Sequence, residues 1–226
     1  MNEVWALVPV KQPGKSKSRL LSVLQPDECA LLSRSMLMDV LGALSDAHTI
    51  SRICVLTDDT EVADLVGQLG HTVIRDNAEG NVCESLDNAA RFIAAEGADT
   101  VFVMPGDMPT VMSADIDALL EKHLNGLSLC PAIRDGGTNA IVCTPPGAVP
   151  FKFGDDSASK HLETAARLGI AAERLAVPAF FRDIDLPDDL AWLLAHEHES
   201  GNNTIRFLHQ SGIAARLNMN LLGASA

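Results

Sequence analysis

The chain has 226 residues, 47% apolar and 21% charged, with a formal net charge of −13. That length suits one large domain with ample core, and the acidic balance excludes a general nucleic-acid binder, which meets phosphates with a basic face. The five cysteines, Cys29, Cys54, Cys83, Cys130 and Cys143, are odd in number and have no CxxC spacing, which argues against a disulfide framework or a zinc site.

The start, Met1-Asn2-Glu3-Val4, lacks the basic residues and apolar run of a signal peptide. No apolar run has the length of a membrane span, so a soluble, cytoplasmic protein without a membrane partner is expected. Val4 to Val10 is short and nearly all apolar, the pattern of a strand buried on both faces. A helix is expected from about Pro26 to Leu44, with Pro26 and Asp27 as start signals. Ile53 to Thr57 reads as a strand, Thr60 to Gly70 as a helix with a glycine stop, and His71 to Ile74 as a third strand. A helix from Glu84 to Glu96 and a buried strand from Thr100 to Met104 follow. After the turn at Pro105–Pro109, Ser113 is expected to cap a helix running to about His123. Leu127 to Ala132 and Ala140 to Cys143 read as strands around a glycine-rich turn, and Ser157 to Leu168 as a helix. Ile184 lies in a short extended piece before a helix opened by Pro187. Residues 1–200 form one domain in this reading. Gly201 to Thr204 is a linker, and 201–226 is a helical tail packed on the domain or on a partner, which is compatible with a homodimer.

Strands alternating with helices imply an α/β fold, a mostly parallel sheet with helices on both faces. Ligands of such folds bind beyond the carboxyl ends of the strands. That rule selects the Lys11–Arg19 loop, the Thr57–Asp59 turn and the Gly106–Pro109 turn together.

Four groups of residues suit phosphate chemistry. Lys11, Lys15, Lys17 and Arg19 form a cationic loop able to wrap a triphosphate and neutralise a leaving pyrophosphate. Gly14-Lys15-Ser16 imitates the end of a P-loop, but Pro9 stands where that motif needs glycine. Asp107, closing a buried strand between Gly106 and Met108-Pro109, suits a Mg²⁺ ligand. Asp183 and Asp185 share one side of an extended segment and would complete a metal site with Asp107. Asp185 as a helix N-cap, with Asp188 and Asp189 favouring the first turn, is the competing reading. Asp135-Gly136-Gly137-Thr138-Asn139 and Phe153-Gly154-Asp155-Asp156-Ser157 offer backbone N–H groups to an anionic acceptor. His196 and His198 read as surface residues, and Met36 and Met38 as core.

These groups together resemble the guanylyltransferases of deazaflavin coenzyme biosynthesis, the 2-phospholactate guanylyltransferase family, over about Val4 to Leu194. The resemblance rests on Val8-Pro9-Val10-Lys11 with Lys17-Ser18-Arg19-Leu20, Gly106-Asp107-Met108-Pro109, Gly137-Thr138-Asn139-Ala140, Phe153-Gly154-Asp155-Asp156-Ser157 and Asp183-Ile184-Asp185-Leu186-Pro187. It implies a three-layer α/β/α domain of the nucleotide-diphospho-sugar transferase, Rossmann-like type. It also implies transfer of GMP from GTP to a small phosphorylated three-carbon acid, with 3-phosphoglycerate favoured over 2-phospholactate and phosphoenolpyruvate. By resemblance, Lys11, Lys17 and Arg19 hold GTP phosphates, Asp107 and Asp183 hold metal, and Asn139, Gly154 and Ser157 hold the acceptor, with Thr138 beside them. Lys17, Arg19 and Asp107 are the expected catalytic groups, and Thr57 and Glu84 complete the nucleotide site. Cys83-Glu84 departs from the Leu-Asn of relatives, and Glu84 is placed to accept from guanine N–H groups. Leu186 stands where relatives usually carry Thr. Competing readings are a molybdopterin- or sugar-phosphate-type transferase using GTP or CTP, and a non-catalytic nucleotide-binding regulator.

Overall fold

The computed structural model describes residues 3–11, 17–76, 81–196 and 202–217. Val4–Pro9 forms β1, and its alternation explains its burial on both faces. Trp5 and Leu7 enter one core cluster, and Ala6 and Val8 enter the other. A 3₁₀ turn at Ser18–Ser22 leads to α1, Pro26–Asp46, whose first turn is fixed by Glu28 accepting the Gln25 N–H at 2.9 Å. β2 (Arg52–Thr57), α2 (Thr60–Gln68) and β3 (Thr72–Arg75) follow. Asp59 caps α2 through the Val62 N–H at 2.9 Å, and Gly70 at φ +80° provides the expected stop.

α3 spans Val82–Ala95 and buries Leu86, Ala89, Ala90 and Ile93, one helical stripe. β4 is Thr100–Val103 and α4 is Ser113–Leu120. Ser113 is not the cap that was expected. Met112 is, and Asp115 accepts its N–H at 3.0 Å, because a carboxylate one turn inside reaches back to that amide. β5 (Gly126–Pro131) and β6 (Thr138–Thr144) form the hairpin, followed by α5 (Ser157–Leu168), β7 (Ala172–Arg174), α6 (Pro187–Ala195) and α7 (Asn203–Gln210).

The seven strands form one sheet in the order β3-β2-β1-β4-β6-β5-β7. β6 alone runs against its neighbours; the other contacts are parallel. Helices α1, α2 and α4 cover one face and α3 and α5 the other, the expected three layers. β7, short and fully exposed, carries no apolar alternation and escaped the sequence reading.

The tail departs from the linker expectation. Asn202 caps α7, and Asp39 of α1 accepts from the backbone N–H groups of Asn203 and Thr204 at 2.7 and 2.9 Å. Ile205, Leu208, Ile213 and Leu217 then pack in a third cluster with Leu20 of the 3₁₀ turn, Leu24 just after it, and Leu190 and Leu193 of α6. Burial of each such side chain stabilises by about 1.5–3 kcal/mol. This cluster ties the end of the cationic loop to the segment carrying Asp183 and Asp185. Gly201 and the residues beyond 217 lie outside the described residues.

Candidate active site

The parallel strands β1, β2, β4 and β5 end at one edge of the sheet, and β6, running the other way, begins there. That edge gathers Lys11 and Lys17, the turn after β4, and Thr138 and Asn139. The Ile184 N–H donates to the Asp107 carbonyl at 3.0 Å, so the 183–185 segment lies against the β4 turn.

Lys17 is the centre of the group. It is 4% exposed, and its Nζ lies 2.5 Å from Asp107 Oδ2 and 3.5 Å from Asp185 Oδ1. Burial alone would lower its pKa, but the Asp107 contact, with the charges of Asp185 and Asp183, raises it and keeps the ammonium charged. Arg19, 66% exposed, reaches Asp185 Oδ2 at 2.8 Å. Asp183 shows the opposite balance. Burial and the Asp107 charge raise its pKa against the pull of Lys17 and Arg134. A cleft of about 330 Å³ opens here, walled by Lys11, Lys17, Gly106, Asp107, Asp185 and, from α3, Val82.

The predicted residues do not all converge. Lys15 lies outside the described residues, as does His198. Asp183 and Asp185 were expected to face one way, yet Asp185 lines this cleft while Asp183 lines a second cavity beside Arg134. Among the described residues no three acidic, His or Cys side chains stand close enough to hold a metal ion as a group, because the Lys17 ammonium stands between the carboxylates. Asp107 Oδ1 is nonetheless buried with no partner among the described residues. An unsatisfied buried carboxylate oxygen fits a hard divalent cation, and Mg²⁺ commonly takes one or two carboxylates, keeping waters and substrate phosphates for the rest. The donor set therefore fits Mg²⁺ through Asp107, with Asp183 and Asp185 at its flanks.

Thr57 is occupied locally: it is 1% exposed and its Oγ1 accepts the Asp59 N–H at 3.1 Å. Glu84 is exposed in the first turn of α3, and its own N–H goes to the Asn81 cap at 3.3 Å. Asp185 is not a helix cap. Asp189 does that work, accepting the Asp185 and Leu186 N–H groups at 3.0 and 2.8 Å. His196 is held on the surface, stacked on Trp192 at 4.8 Å.

The two glycine-rich loops do meet. Ala158 N–H donates to the Gly136 carbonyl at 3.1 Å, and Gly154 (φ +120°) and Asp156 (φ +52°) bend the chain to allow it. Thr138 and Ser157 were expected among the acceptor residues, on loops that offer backbone N–H groups. Their hydroxyls bond each other at 2.9 Å, Ser157 is fully buried, and Thr138 also meets His161 Nδ1 at 3.3 Å. Their hydroxyls brace the two loops. Asn139 is different. The pairing of β5 and β6 slips there, so that Asn139 is the extra residue of a bulge, a device that re-aims a side chain. It is 6% exposed and its Nδ2 lacks a partner among the described residues.

Ser33 on α1 lines the first cleft with a buried hydroxyl that has no partner among the described residues, and it was missed because a serine on an amphipathic helix carries no signal. Arg134 and His161 were missed for the same reason. Their importance depends on partners 55 and 23 positions away.

Solved structures share this architecture. A Desulfovibrio desulfuricans G20 protein assigned as a nucleotide-diphospho-sugar transferase superposes with a TM-score of 0.80 at 22% identity, covering 97% of this chain and 98% of that one. A 4-diphosphocytidyl-2C-methyl-D-erythritol synthase superposes with a TM-score of 0.57 at 14% identity, covering 85% and 97%. Fold and site together define an α/β nucleotidyltransferase. Residues 4–220 match the family described as guanylyl transferase CofC like, and the chain belongs to that family. Curated relatives include a phosphoenolpyruvate guanylyltransferase of Rubrobacter xylanophilus, 37% identical over 85% of this chain and 94% of its own. A 2-phospho-L-lactate guanylyltransferase of Methanothermobacter thermautotrophicus is 30% identical, covering 84% of each chain. A 3-phospho-D-glycerate guanylyltransferase of Colwellia psychrerythraea is 30% identical over 83% of this chain and 89% of its own.

Proposed function

We propose that the chain transfers GMP from GTP to a small phosphorylated three-carbon acid, releasing pyrophosphate with Mg²⁺ as cofactor. The acceptor is 3-phospho-D-glycerate, 2-phospho-L-lactate or phosphoenolpyruvate. The observation that carries this reading is the meeting of Lys17 with Asp107 and Asp185 beyond the strand exits, with the charge of Asp183 acting on it as well.

An acceptor phosphate oxygen attacks the α-phosphorus in line, and the bond from that phosphorus to the bridging oxygen of pyrophosphate breaks. The acceptor phosphate is already ionised near neutral pH, so no strong general base is required. Lys11, Lys15, Lys17 and Arg19 neutralise the triphosphate and the departing pyrophosphate. Lys17, kept charged by its carboxylates, exchanges part of its contact with Asp107 for phosphate oxygens. Asp107 and Asp183 would hold Mg²⁺, with Asp185 as ligand or support. The bound ion would stabilise charge on the phosphate oxygens. Asn139, on its bulge, and the Gly154 loop hold the acceptor by hydrogen bonds, while Thr138 and Ser157 stiffen that loop. As a user of GTP and a phosphorylated acid, the protein would work in the cytoplasm.

Incubation with GTP, Mg²⁺ and each of the three acids, with mass detection, should yield the diphosphate-linked product from at least one. Absence of product with all three, or equal product from CTP, overturns the proposal.

A further inference from the structure

A second cavity, of about 450 Å³, is walled by Thr110, Arg134, Phe181, Arg182, Asp183 and Trp192 among others. Its size is within the range of small-ligand sites. On its wall two guanidinium groups share one carboxylate oxygen. Arg134 and Arg182 both donate to Asp189 Oδ1, Arg182 at 2.9 Å. Asp189 is fully buried, and its other oxygen is taken by the Asp185 and Leu186 N–H groups.

A buried carboxylate with four donors is fixed in place, and it fixes the two arginines in turn. Each guanidinium has five N–H donors, so the bond to Asp189 leaves most of them for another partner. The arginines are 35% and 42% exposed. Two permanent cations share the Asp189 carboxylate, and the charges of Asp183 and Asp185 also act on Arg134. The charge of Asp183, the carboxylate on that wall, also acts on Lys17. Arg182 rests over Trp192 at 4.9 Å, and Trp192 is backed by His196, so this side of the cavity is stiff. Capping α6 requires Asp189 and two amides; it does not require two arginines. Forked donors held in a fixed direction are the chemistry that receives a carboxylate or phosphate in bidentate fashion.

We propose that Arg134 and Arg182, braced by Asp189, form a subsite for an anionic oxygen group of the small acid substrate. Arg134 lies two residues before Gly136, in the turn that leads to Asn139, and Asp183 is common to this cavity and the carboxylate cluster. The identity of the acid rests on the function proposed above. The subsite itself rests on the cavity.

The chain has two tryptophans, and Trp5 is a core residue 3% exposed away from this cavity, so a ligand-dependent change in fluorescence is read at Trp192. Titration with 3-phosphoglycerate, without GTP, should give a saturable change, with calorimetry as the parallel measure. Arg182→Gln should weaken binding at least about tenfold, and Arg182→Lys, which keeps charge but loses the fork, should fall between. GTP affinity should change by less than about twofold, which a merely structural defect would not allow. Glycerate and inorganic phosphate as probes decide whether the carboxylate or the phosphate is seated. Unchanged acid affinity in Arg182→Gln, an equal loss for GTP, or no saturable response of the wild type by either method overturns the subsite. Acid binding without turnover would defeat the proposed function alone. Turnover with an unaltered KM for the acid in Arg182→Gln would defeat the subsite alone.

Discussion

His161 predicts how the fold responds to acid. It is fully buried between Phe151 and Phe153, and its Nε2 accepts the Lys152 N–H at 2.8 Å. The proton of the neutral ring therefore sits on Nδ1, beside Thr138 Oγ1. Burial pushes its pKa down to about 4, opposed by a bond to the Ser157 backbone and aided by the Lys152 charge. An unfolded chain takes up this proton as pH falls through about 6.5, whereas the folded chain resists until about 4. Stability is therefore lost across that window and the loss levels off below it. At about 1.4 kcal/mol per pH unit, the gap is worth roughly 3 kcal/mol. With a urea dependence of about 1–3 kcal/mol/M, the unfolding midpoint should fall by about 1–3 M over the window. His123, also lowered by burial, adds the same sign, so the informative quantity is a difference. His161→Gln should be less stable near pH 7, yet its midpoint should fall much less between pH 6.5 and 4.5. An identical pH dependence in wild type and His161→Gln would refute the reasoning.

Other perturbations test the remaining contacts. Asp107→Asn should lower turnover at limiting Mg²⁺ by about 10²-fold or more while far-ultraviolet circular dichroism stays native; near wild-type rates would reject Asp107 as a catalytic group. Asp39→Ala removes the acceptor of four hydrogen bonds from Asn203 and Thr204. It should cost about 2–4 kcal/mol in urea unfolding, and a change below about 0.5 kcal/mol would show that apolar packing alone holds the tail. Gly126 has φ +75°, and an added Cβ would lie 2.3 Å from the Ala171 carbonyl oxygen. Gly126→Ala should therefore destabilise by at least about 2 kcal/mol, which thermal unfolding would reveal.

The main elements were legible in the sequence because their signals are local. β1, β2 and β4 announce themselves as short apolar runs, and α3 as an apolar stripe, since strand and helix periods follow from backbone geometry. The meeting of Lys17 with Asp107 was legible for a related reason. A parallel sheet sends the ends of its strands to one edge, so residues just past strands that are distant in sequence meet there.

Pairing across long sequence separations was not legible. No local pattern says that Thr138 and Ser157 spend their hydroxyls on each other, or that Asp189 rather than Asp185 accepts the free amides before α6. Nor does any say that Asp39 anchors a tail about 165 residues away. The sequence by itself determined the layered architecture and which charges stand at the binding edge, because backbone period and strand direction decide both. Only the tertiary structure decided which polar atoms are consumed and which remain free for a ligand. A hydrogen-bond partner is chosen by distance and burial, and neither is a property of chain order.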